Sequence, residues 1–186
     1  MPSIIRLGTI ILLVAGITGV SEALDLDDVR PWQITGLYSS TIRSNGIQFT
    51  VTDNNTLNAV SSSSTTEAQP TFPPTSVKCI HNSTVSQCDS ISSGNWTFDI
   101  LPGTDPVEGP KYPYENFILR LQLTERLKYK DSDYWKTFVA EQEFGGINGI
   151  KFSVHCAASG FCTASQTRSH TPTLLTQKLT DCKGDC

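Results

Sequence analysis

Strict alternation of apolar and polar side chains over Phe117–Leu123 constrains the fold of this chain more than any other feature. The segment reads Phe-Ile-Leu-Arg-Leu-Gln-Leu, so a large apolar residue stands at every odd position. This period of two places the odd side chains on one face of a β-strand, whereas a helix would spread them around its circumference. A strand with one wet face needs antiparallel neighbours and a single buried core. The segment therefore predicts an antiparallel, all-β protein.

Other alternating segments extend this prediction along the chain. The strands that we expect beside the central one are Trp32–Tyr38, Ile47–Val51, Val77–Cys79, Trp96–Ile100, Tyr134–Glu143, Ile150–Cys156 and Thr171–Leu179. Residues 125–130 extend the central strand, and Ser44-Asn45-Gly46 joins the first two strands as a hairpin turn. Tyr134–Glu143 has a short helix as its alternative, because both of its faces carry large side chains. Strands at this spacing predict a single-domain β-barrel or β-sandwich.

The first residues, 1–23, have the pattern of a secretory signal peptide. Arg6 precedes an apolar run, and Ser21-Glu22-Ala23 is a small-x-small cleavage signal. The apolar run is too short and too rich in glycine to favour a membrane span, and an uncleaved anchor is the alternative. We therefore expect a secreted, extracellular protein without membrane contact after cleavage. Its mature chain would begin with a loose acidic arm, 24–31, followed by one domain over 32–180 and a short tail, 181–186.

Six cysteines after the signal segment predict a disulfide framework, because secreted proteins rarely keep free thiols. They are Cys79, Cys88, Cys156, Cys162, Cys182 and Cys186. Six cysteines allow 15 pairings, and the spacing favours three local ones, 79–88, 156–162 and 182–186. Each small loop would contribute about 2–3 kcal/mol by the chain-entropy model, so the core would still set the topology. A zinc site is the weaker alternative, since the chain has no Cys-x-x-Cys.

Composition limits the partners of the protein and agrees with passage through a secretory route. The formal net charge is −4 at pH 7 and no basic run occurs, which argues against binding to nucleic acid or an anionic membrane. Three sequons, which begin at Asn54, Asn82 and Asn95, predict N-glycosylation. The segment 58–76 is rich in Ser, Thr and Pro, so we expect an inserted loop that adds nothing to the packed core.

Several segments together carry a family resemblance. They are Trp32-x-Ile34-x-x-Leu37-Tyr38, Asn45–Val51, Cys79…Cys88 followed by Trp96–Asp99, Phe117–Leu123, and Cys156…Cys162. This layout resembles the Alternaria major-allergen (Alt a one-like) family of small secreted fungal proteins. The resemblance implies a compact β-barrel without catalytic residues that acts as an effector by contacting a plant host defence protein. The chain differs from the family in its insertion, in lacking the N-terminal cysteine through which some members dimerise, and in its added Cys182–Cys186 segment.

No constellation of residues in the sequence indicates catalysis, a metal or a cofactor. The chain has no Gly-x-Ser-x-Gly elbow, His-Glu-x-x-His pair or phosphate-binding glycine loop, and His81, His155 and His170 are scattered. Glu141 and Glu143 share one strand face, but glycosidase carboxylates must flank a scissile bond. We interpret the two glutamates as a solvated strand edge, which leaves a secreted polysaccharide hydrolase as the weakest alternative.

Two alternatives concern binding rather than catalysis. Closed β-barrels can hold an apolar molecule, and the residues that could line such a carrier are Trp32, Trp96, Trp135 and Phe117, although we favour a role in the core. A ring closed by Cys182 and Cys186 would present Lys183-Gly184-Asp185, which resembles loops of adhesion-receptor ligands; a stapled terminus is the simpler interpretation. The leading prediction is a non-enzymatic secreted protein that binds a protein partner.

Overall fold

The computed structural model describes residues 29–40, 46–60, 69–82, 85–104, 116–145, 149–166 and 171–186. The signal segment and the Ser44-Asn45 part of the first turn lie outside these ranges. The described residues form β-strands and no helix, which confirms the all-β prediction. The strands are β1 (Trp32–Ser40), β2 (Gly46–Asp53), β3 (Leu57–Asn58), β4 (Thr71–Phe72), β5 (Thr75–Asn82), β6 (Val85–Cys88), β7 (Gly94–Pro102), β8 (Asn116–Tyr129), β9 (Ser132–Gly145), β10 (Phe152–Cys156), β11 (Cys162–Gln166), β12 (Thr173–Leu175) and β13 (Lys178–Lys183). The described residues contain no helix that is long and apolar enough to cross a membrane.

Two antiparallel sheets carry most of the structure. The larger sheet has the order β10-β11-β1-β2-β5-β6, and β12 also pairs with β1. The smaller sheet has the order β13-β9-β8-β7, and β3 and β4 form a short pair of their own. After β9 the chain leaves the smaller sheet, adds β10, β11 and β12 to the larger one, and returns with β13. The two sheets are therefore linked by several crossings of the chain.

The hairpin of β8 and β9 forms the centre of the smaller sheet. The two strands pair along their whole length, from Asn116 opposite Gly145 to Tyr129 opposite Ser132. The odd residues of Phe117–Leu123 are fully buried and the even ones are at least partly exposed, as the alternation predicted. The helical alternative for Tyr134–Glu143 is wrong, because the large side chains of this segment are divided between the core face and the outer face of β9.

Inward-facing side chains of both sheets meet in one hydrophobic core. The indole of Trp32 on β1 meets that of Trp96 on β7 edge to face, with ring centroids 4.6 Å apart. The rings of Phe49 on β2 and Phe98 on β7 are 5.1 Å apart in the same geometry. Edge-to-face aromatic pairs add about 0.5–1.5 kcal/mol each beyond the burial of their area. These contacts hold the two sheets together.

The residues that could line an apolar cavity separate into two groups. Trp32, Trp96 and Phe117 are buried and pack on other aromatic rings, with Phe117 stacked on Phe144 at 5.4 Å. The prediction that Trp135 could line an apolar cavity is wrong. It lies partly exposed on the outer face of β9, because the inward positions of that strand are the even ones.

The three cysteine pairs are those favoured by the sequence spacing. Cys79 lies directly opposite Cys88 on the β5–β6 hairpin, and Cys156 lies opposite Cys162 on β10–β11, each pair with Cα atoms 4.0 Å apart. Cys182 and Cys186 close a ring at the end of β13, with Cα atoms 6.1 Å apart. The first two pairs thus staple hairpins, and the third shapes the C-terminus.

The expectation that segment 58–76 adds nothing to the core is wrong at both ends of the segment. Ala59 and Phe72 are buried, and Thr75 accepts a hydrogen bond of 3.1 Å from Nε1 of Trp96. The β3–β4 pair brings these ends together, and residues 61–68 lie outside the described ranges. Composition failed here because a few well-placed apolar residues at the ends of a polar segment are enough to anchor it.

Both predicted terminal segments are held by the domain. Val29 packs against the core, and the backbone N–H of Arg30 donates to Oδ1 of Asn55 at 2.8 Å, although residues 24–28 lie outside the described ranges. The predicted closing strand over Thr171–Leu179 is divided between the two sheets, since β12 pairs with β1 and β13 pairs with β9. Because β13 extends to Lys183, the predicted tail 181–186 is partly strand.

Candidate functional site

A groove of about 690 Å³ lies on the outer face of the smaller sheet. It crosses β8 and β9 near their shared turn and reaches β13. The residues that line it include Thr124, Arg126, Lys128, Trp135, Thr137 and Asp181. Ligand sites in proteins commonly occupy about 300–1,000 Å³. The groove therefore has the size of a binding site, although it lies on a sheet face that the sequence predicted to be merely solvated.

Trp135 lines this groove and is held by two neighbouring side chains. Its Nε1 donates a hydrogen bond of 2.9 Å to Oδ2 of Asp181. Nζ of Lys183 lies 5.4 Å from the centroid of the Trp135 ring, within the range of a cation–π contact. Arg126 on β8 is the register partner of Trp135 on one side of β9. Lys183 on β13 is the register partner of Trp135 on the other side. The order Arg126–Trp135–Lys183 across three strands is called the cation–indole row below.

The groove is more positive than the chain that carries it. Two cations, Arg126 and Lys128, and two carboxylates, Asp133 and Asp181, line the groove. Lys183, over the ring of Trp135, adds a third cation beside it. The whole chain has a formal net charge of −4. A positive patch on an acidic protein attracts anionic groups locally while the rest of the surface repels them.

The two glutamates that share a strand face are both engaged in contacts to other elements. Glu141 forms an ion pair with Arg120, its register partner on β8, and both side chains are about half exposed. Glu143 accepts hydrogen bonds from the backbone N–H of Thr104 at 2.7 Å and from Oγ1 of the same residue at 2.8 Å. Glu141 thus links β9 to β8, and Glu143 holds the segment that follows β7. The interpretation of the pair as a solvated strand edge stays a prediction.

The histidines are not brought together where the structure describes them. Nδ1 of His81 is 2.8 Å from Oγ of Ser86 on the β5–β6 hairpin, and partial burial lowers the pKa of His81. His155 is exposed on β10, and His170 lies outside the described ranges. Within those ranges, no group of three or more histidine, cysteine or carboxylate side chains is arranged to hold a metal ion.

The three sequon asparagines Asn54, Asn82 and Asn95 are all exposed. Asn95 lies on the outer face of β7, directly opposite Thr124 at the edge of the groove. N-glycosylation stays a prediction at each of the three positions. A glycan on Asn95 would stand beside the groove.

A buried polar cluster lies on the inner side of the same β8–β9 hairpin. Glu125 is 2 % exposed and Lys136, directly opposite it, is 0 % exposed. Burial raises the pKa of Glu125 to about 8; the charge of Asp53 acts in the same direction and Lys136 opposes it. Burial also lowers the pKa of Lys136, against the opposing charges of Asp185 and Glu125. Charged groups are rarely buried so completely unless they are paired.

Asp53 of β2 brings a second carboxylate to this cluster from the larger sheet. Its side chain is 4 % exposed and accepts a hydrogen bond of 2.8 Å from the backbone N–H of Asn55. Burial raises the pKa of Asp53, while the hydrogen bonds of Asn55 and the indole of Trp32 lower it. The cluster thus joins the two sheets through polar groups beside the aromatic core.

The sequence analysis did not identify this cluster, although one signal for it was present. Glu125 continues the odd-numbered series of Phe117–Leu123 that faces the core, so alternation alone places it inside. The interior position of Lys136 depends on its register opposite Glu125, which no local pattern in the sequence specifies.

The C-terminal ring packs back onto the domain. The backbone N–H of Asp185 donates to the carbonyl oxygen of Ala59 at 3.1 Å, and Lys183 lies over the ring of Trp135. The negative charge of Asp185 partly offsets the lowering of the Lys136 pKa by burial. The residues Lys183-Gly184-Asp185 are therefore docked on the domain. A loop that resembles those of adhesion-receptor ligands would instead project from it.

Gly184 offers a direct test of this docking. A Cβ atom at Gly184 would lie 2.1 Å from the carbonyl oxygen of Ala59, and its φ of +125° is itself unfavourable for other residues. We expect Gly184→Ala to lower the free energy of unfolding by about 1–3 kcal/mol, in the range of overpacking. Gly160→Ala is the matched control, since Gly160 also has a positive φ, of +83°, but an added Cβ would meet nothing within 4 Å. Urea unfolding of both variants measures the difference, and equal losses would contradict the docking.

Comparison of the chain with family models, with curated proteins and with solved structures finds no match. The groove and the buried cluster are therefore interpreted from their own residues.

Proposed function

We propose that this protein is a secreted, non-enzymatic binding protein that engages a protein partner through the groove around Trp135. The cation–indole row is the observation that carries the proposal. Tryptophan, tyrosine and arginine dominate the binding energy of protein interfaces, and Trp135, Tyr134 and Arg126 line this groove together. Because Trp135 is already fixed by Asp181 and Lys183, little side-chain entropy is lost when a partner covers it.

The proposed partner presents acidic side chains to the groove. A carboxylate placed above the cation–indole row would meet Arg126 and Lys183 at once, and charge-assisted hydrogen bonds of this kind are roughly twice as strong as neutral ones.

The resemblance to the Alternaria major-allergen family extends the proposal: the two sheets would close as a barrel or sandwich, and the partner would be a plant apoplastic defence protein. The signal-like segment and the three disulfides support export.

The two alternatives receive less support from the described residues. An apolar carrier needs open space between the sheets, where the rings of Trp32, Trp96, Phe49 and Phe98 contact one another. A hydrolase needs two available carboxylates, whereas Glu141 and Glu143 are both engaged by other residues.

We expect Trp135→Ala to weaken partner binding by at least about tenfold, since truncation of a tryptophan hot spot commonly costs 2 kcal/mol or more. The immobilised mature protein would first be incubated with plant extracellular fluid, and a bound protein identified by mass spectrometry. Purified partner would then be titrated with the wild type, with Trp135→Ala, and with Val139→Ala as the control. Val139 lies on the same outer face of β9 and does not line the groove.

Two outcomes would contradict the proposal. One is the recovery of no protein beyond those that bind a control surface. The other is a captured partner whose affinity is the same for wild type and Trp135→Ala. In contrast, a loss of affinity confined to Trp135→Ala, together with weaker binding at higher salt, would support binding of an acidic partner in the groove.

A further inference from the structure

Three polar atoms of the buried cluster have no hydrogen-bond partner among the described residues. They are Nε1 of Trp32, Oε1 of Glu125 and Nζ of Lys136. Their side chains are 0, 2 and 0 % exposed. An unsatisfied buried polar group costs about 1–3 kcal/mol, and more when it is charged. Native proteins contain only a few such groups, so three of them in one cluster require a physical explanation.

The three side chains are neighbours in a chain that passes through Asp53. Glu125 and Lys136 are register partners, the charge of Asp53 raises the pKa of Glu125, and the Trp32 indole lowers the pKa of Asp53. Nevertheless, the Trp32 indole acts on Asp53 without a hydrogen bond of ordinary geometry from its Nε1, and Nζ of Lys136 makes none to Glu125. Polar groups that face each other beyond 3.5 Å are commonly bridged by water.

We propose that the cluster is an internal water-binding site, in which ordered water bridges Trp32 and Asp53 on the larger sheet to Glu125 and Lys136 on the smaller one. The indole and the lysine amine donate, whereas the carboxyl groups accept. Water can accept from the first two and donate to the others at the same time. An apolar ligand can do neither. Buried waters typically make two to four hydrogen bonds, and this cluster supplies that number.

The internal water explains how Lys136 is tolerated inside a β core. Two carboxyl groups act on its amine, Glu125 on β8 and Asp185 on the C-terminal ring, and Asp53 on β2 acts on Glu125. Bridging water transmits these interactions over the gaps between the side chains. The site also distinguishes the interior from that of an apolar carrier, because its occupant is polar.

Two measurements test the site. A high-resolution crystal structure of the intact mature protein should show ordered water within hydrogen-bond distance of Nε1 of Trp32 and of Nζ of Lys136. In solution, the amplitude of ¹⁷O water relaxation dispersion reports long-lived internal waters. We expect this amplitude to fall in the double variant Glu125→Leu/Lys136→Met and to be unchanged in Glu141→Gln, whose carboxylate lies about half exposed on the outer face of β9.

The double variant is expected to fold, because replacing a buried ionic pair by apolar residues of similar volume is often neutral or stabilising. If it does not fold, the crystal structure of the wild type still decides the question. A direct ion pair between Glu125 and Lys136 without water, density for a molecule other than water, or an amplitude unchanged in the folded double variant would each overturn the proposal.

Discussion

Leu121→Ala is expected to lower the free energy of unfolding by about 2–5 kcal/mol, which is the range for removing a buried leucine side chain. Leu121 is 0 % exposed at the middle of β8, where β7 pairs with it on one side and β9 on the other. The surrounding sheet cannot collapse easily into the cavity, because both neighbouring strands are fixed by their own ladders. Urea unfolding of the oxidised protein measures this loss.

Gln122→Ala is the control for this expectation. Gln122 is the next residue of β8 and is exposed on the outer face, so its truncation should change the free energy of unfolding by no more than about 0.5 kcal/mol. The pair of variants therefore tests the alternation itself. Similar losses of unfolding free energy in the two variants would mean that β8 has no division into a buried and a solvent-exposed face. The register of the hairpin would then differ from the one described.

Alternation was a reliable guide to this fold because burial of one sheet face leaves a periodic signal in each strand. The central strand, its extension to Tyr129 and the hairpins closed by Cys79–Cys88 and Cys156–Cys162 were all predictable on that basis or from cysteine spacing. The division of residues 171–183 between two sheets was not predictable. Sheet partners are distant in sequence, and nothing in Thr173–Leu175 indicates that β1 is its neighbour.

The candidate site shows the same limit more clearly. Trp135 is a large aromatic residue, but β9 carries large side chains on both faces. The odd or even position of Trp135 therefore does not reveal which face of the strand is buried. The cation–indole row and the buried Glu125–Lys136 pair depend on register between strands. Register follows from the packing of the whole hairpin, and therefore the geometry of both sites required the structure.

The contribution of Glu125 to the free energy of unfolding should fall as the pH rises from about 5 to about 8. Its pKa in the folded protein is raised from 4.5 to about 8, first by burial. Below the lower value both the folded and the unfolded chain hold the proton. Between the two values the unfolded chain loses its proton while the folded chain keeps it, so the free energy of unfolding decreases with pH. The loss from this group is at most about 5 kcal/mol, since one pKa unit corresponds to 1.36 kcal/mol.

Glu125→Gln separates this contribution from those of other groups. Glutamine resembles the protonated carboxyl group and does not ionise, so the variant should gain stability relative to the wild type as the pH increases through this window. The raised pKa of Asp53 acts in the same direction, and the lowered pKa of Lys136 acts in the opposite one. Both groups are present in both proteins, which is why the difference between the two proteins is the informative quantity. The measurement is urea unfolding of both proteins at several pH values from about 5 to about 8.

Glu141→Gln is the matched control for the pH series, because its side chain is about half exposed and is paired only across the surface of the sheet. Loss of an exposed ion pair should cost no more than about 1 kcal/mol. Parallel pH profiles for the wild type and Glu125→Gln would contradict the buried position of Glu125. Since Glu125 and Lys136 face each other between the sheets, that result would also remove the basis for an internal polar site. A widening difference would instead show that one carboxyl group in the core makes the junction of the two sheets sensitive to pH.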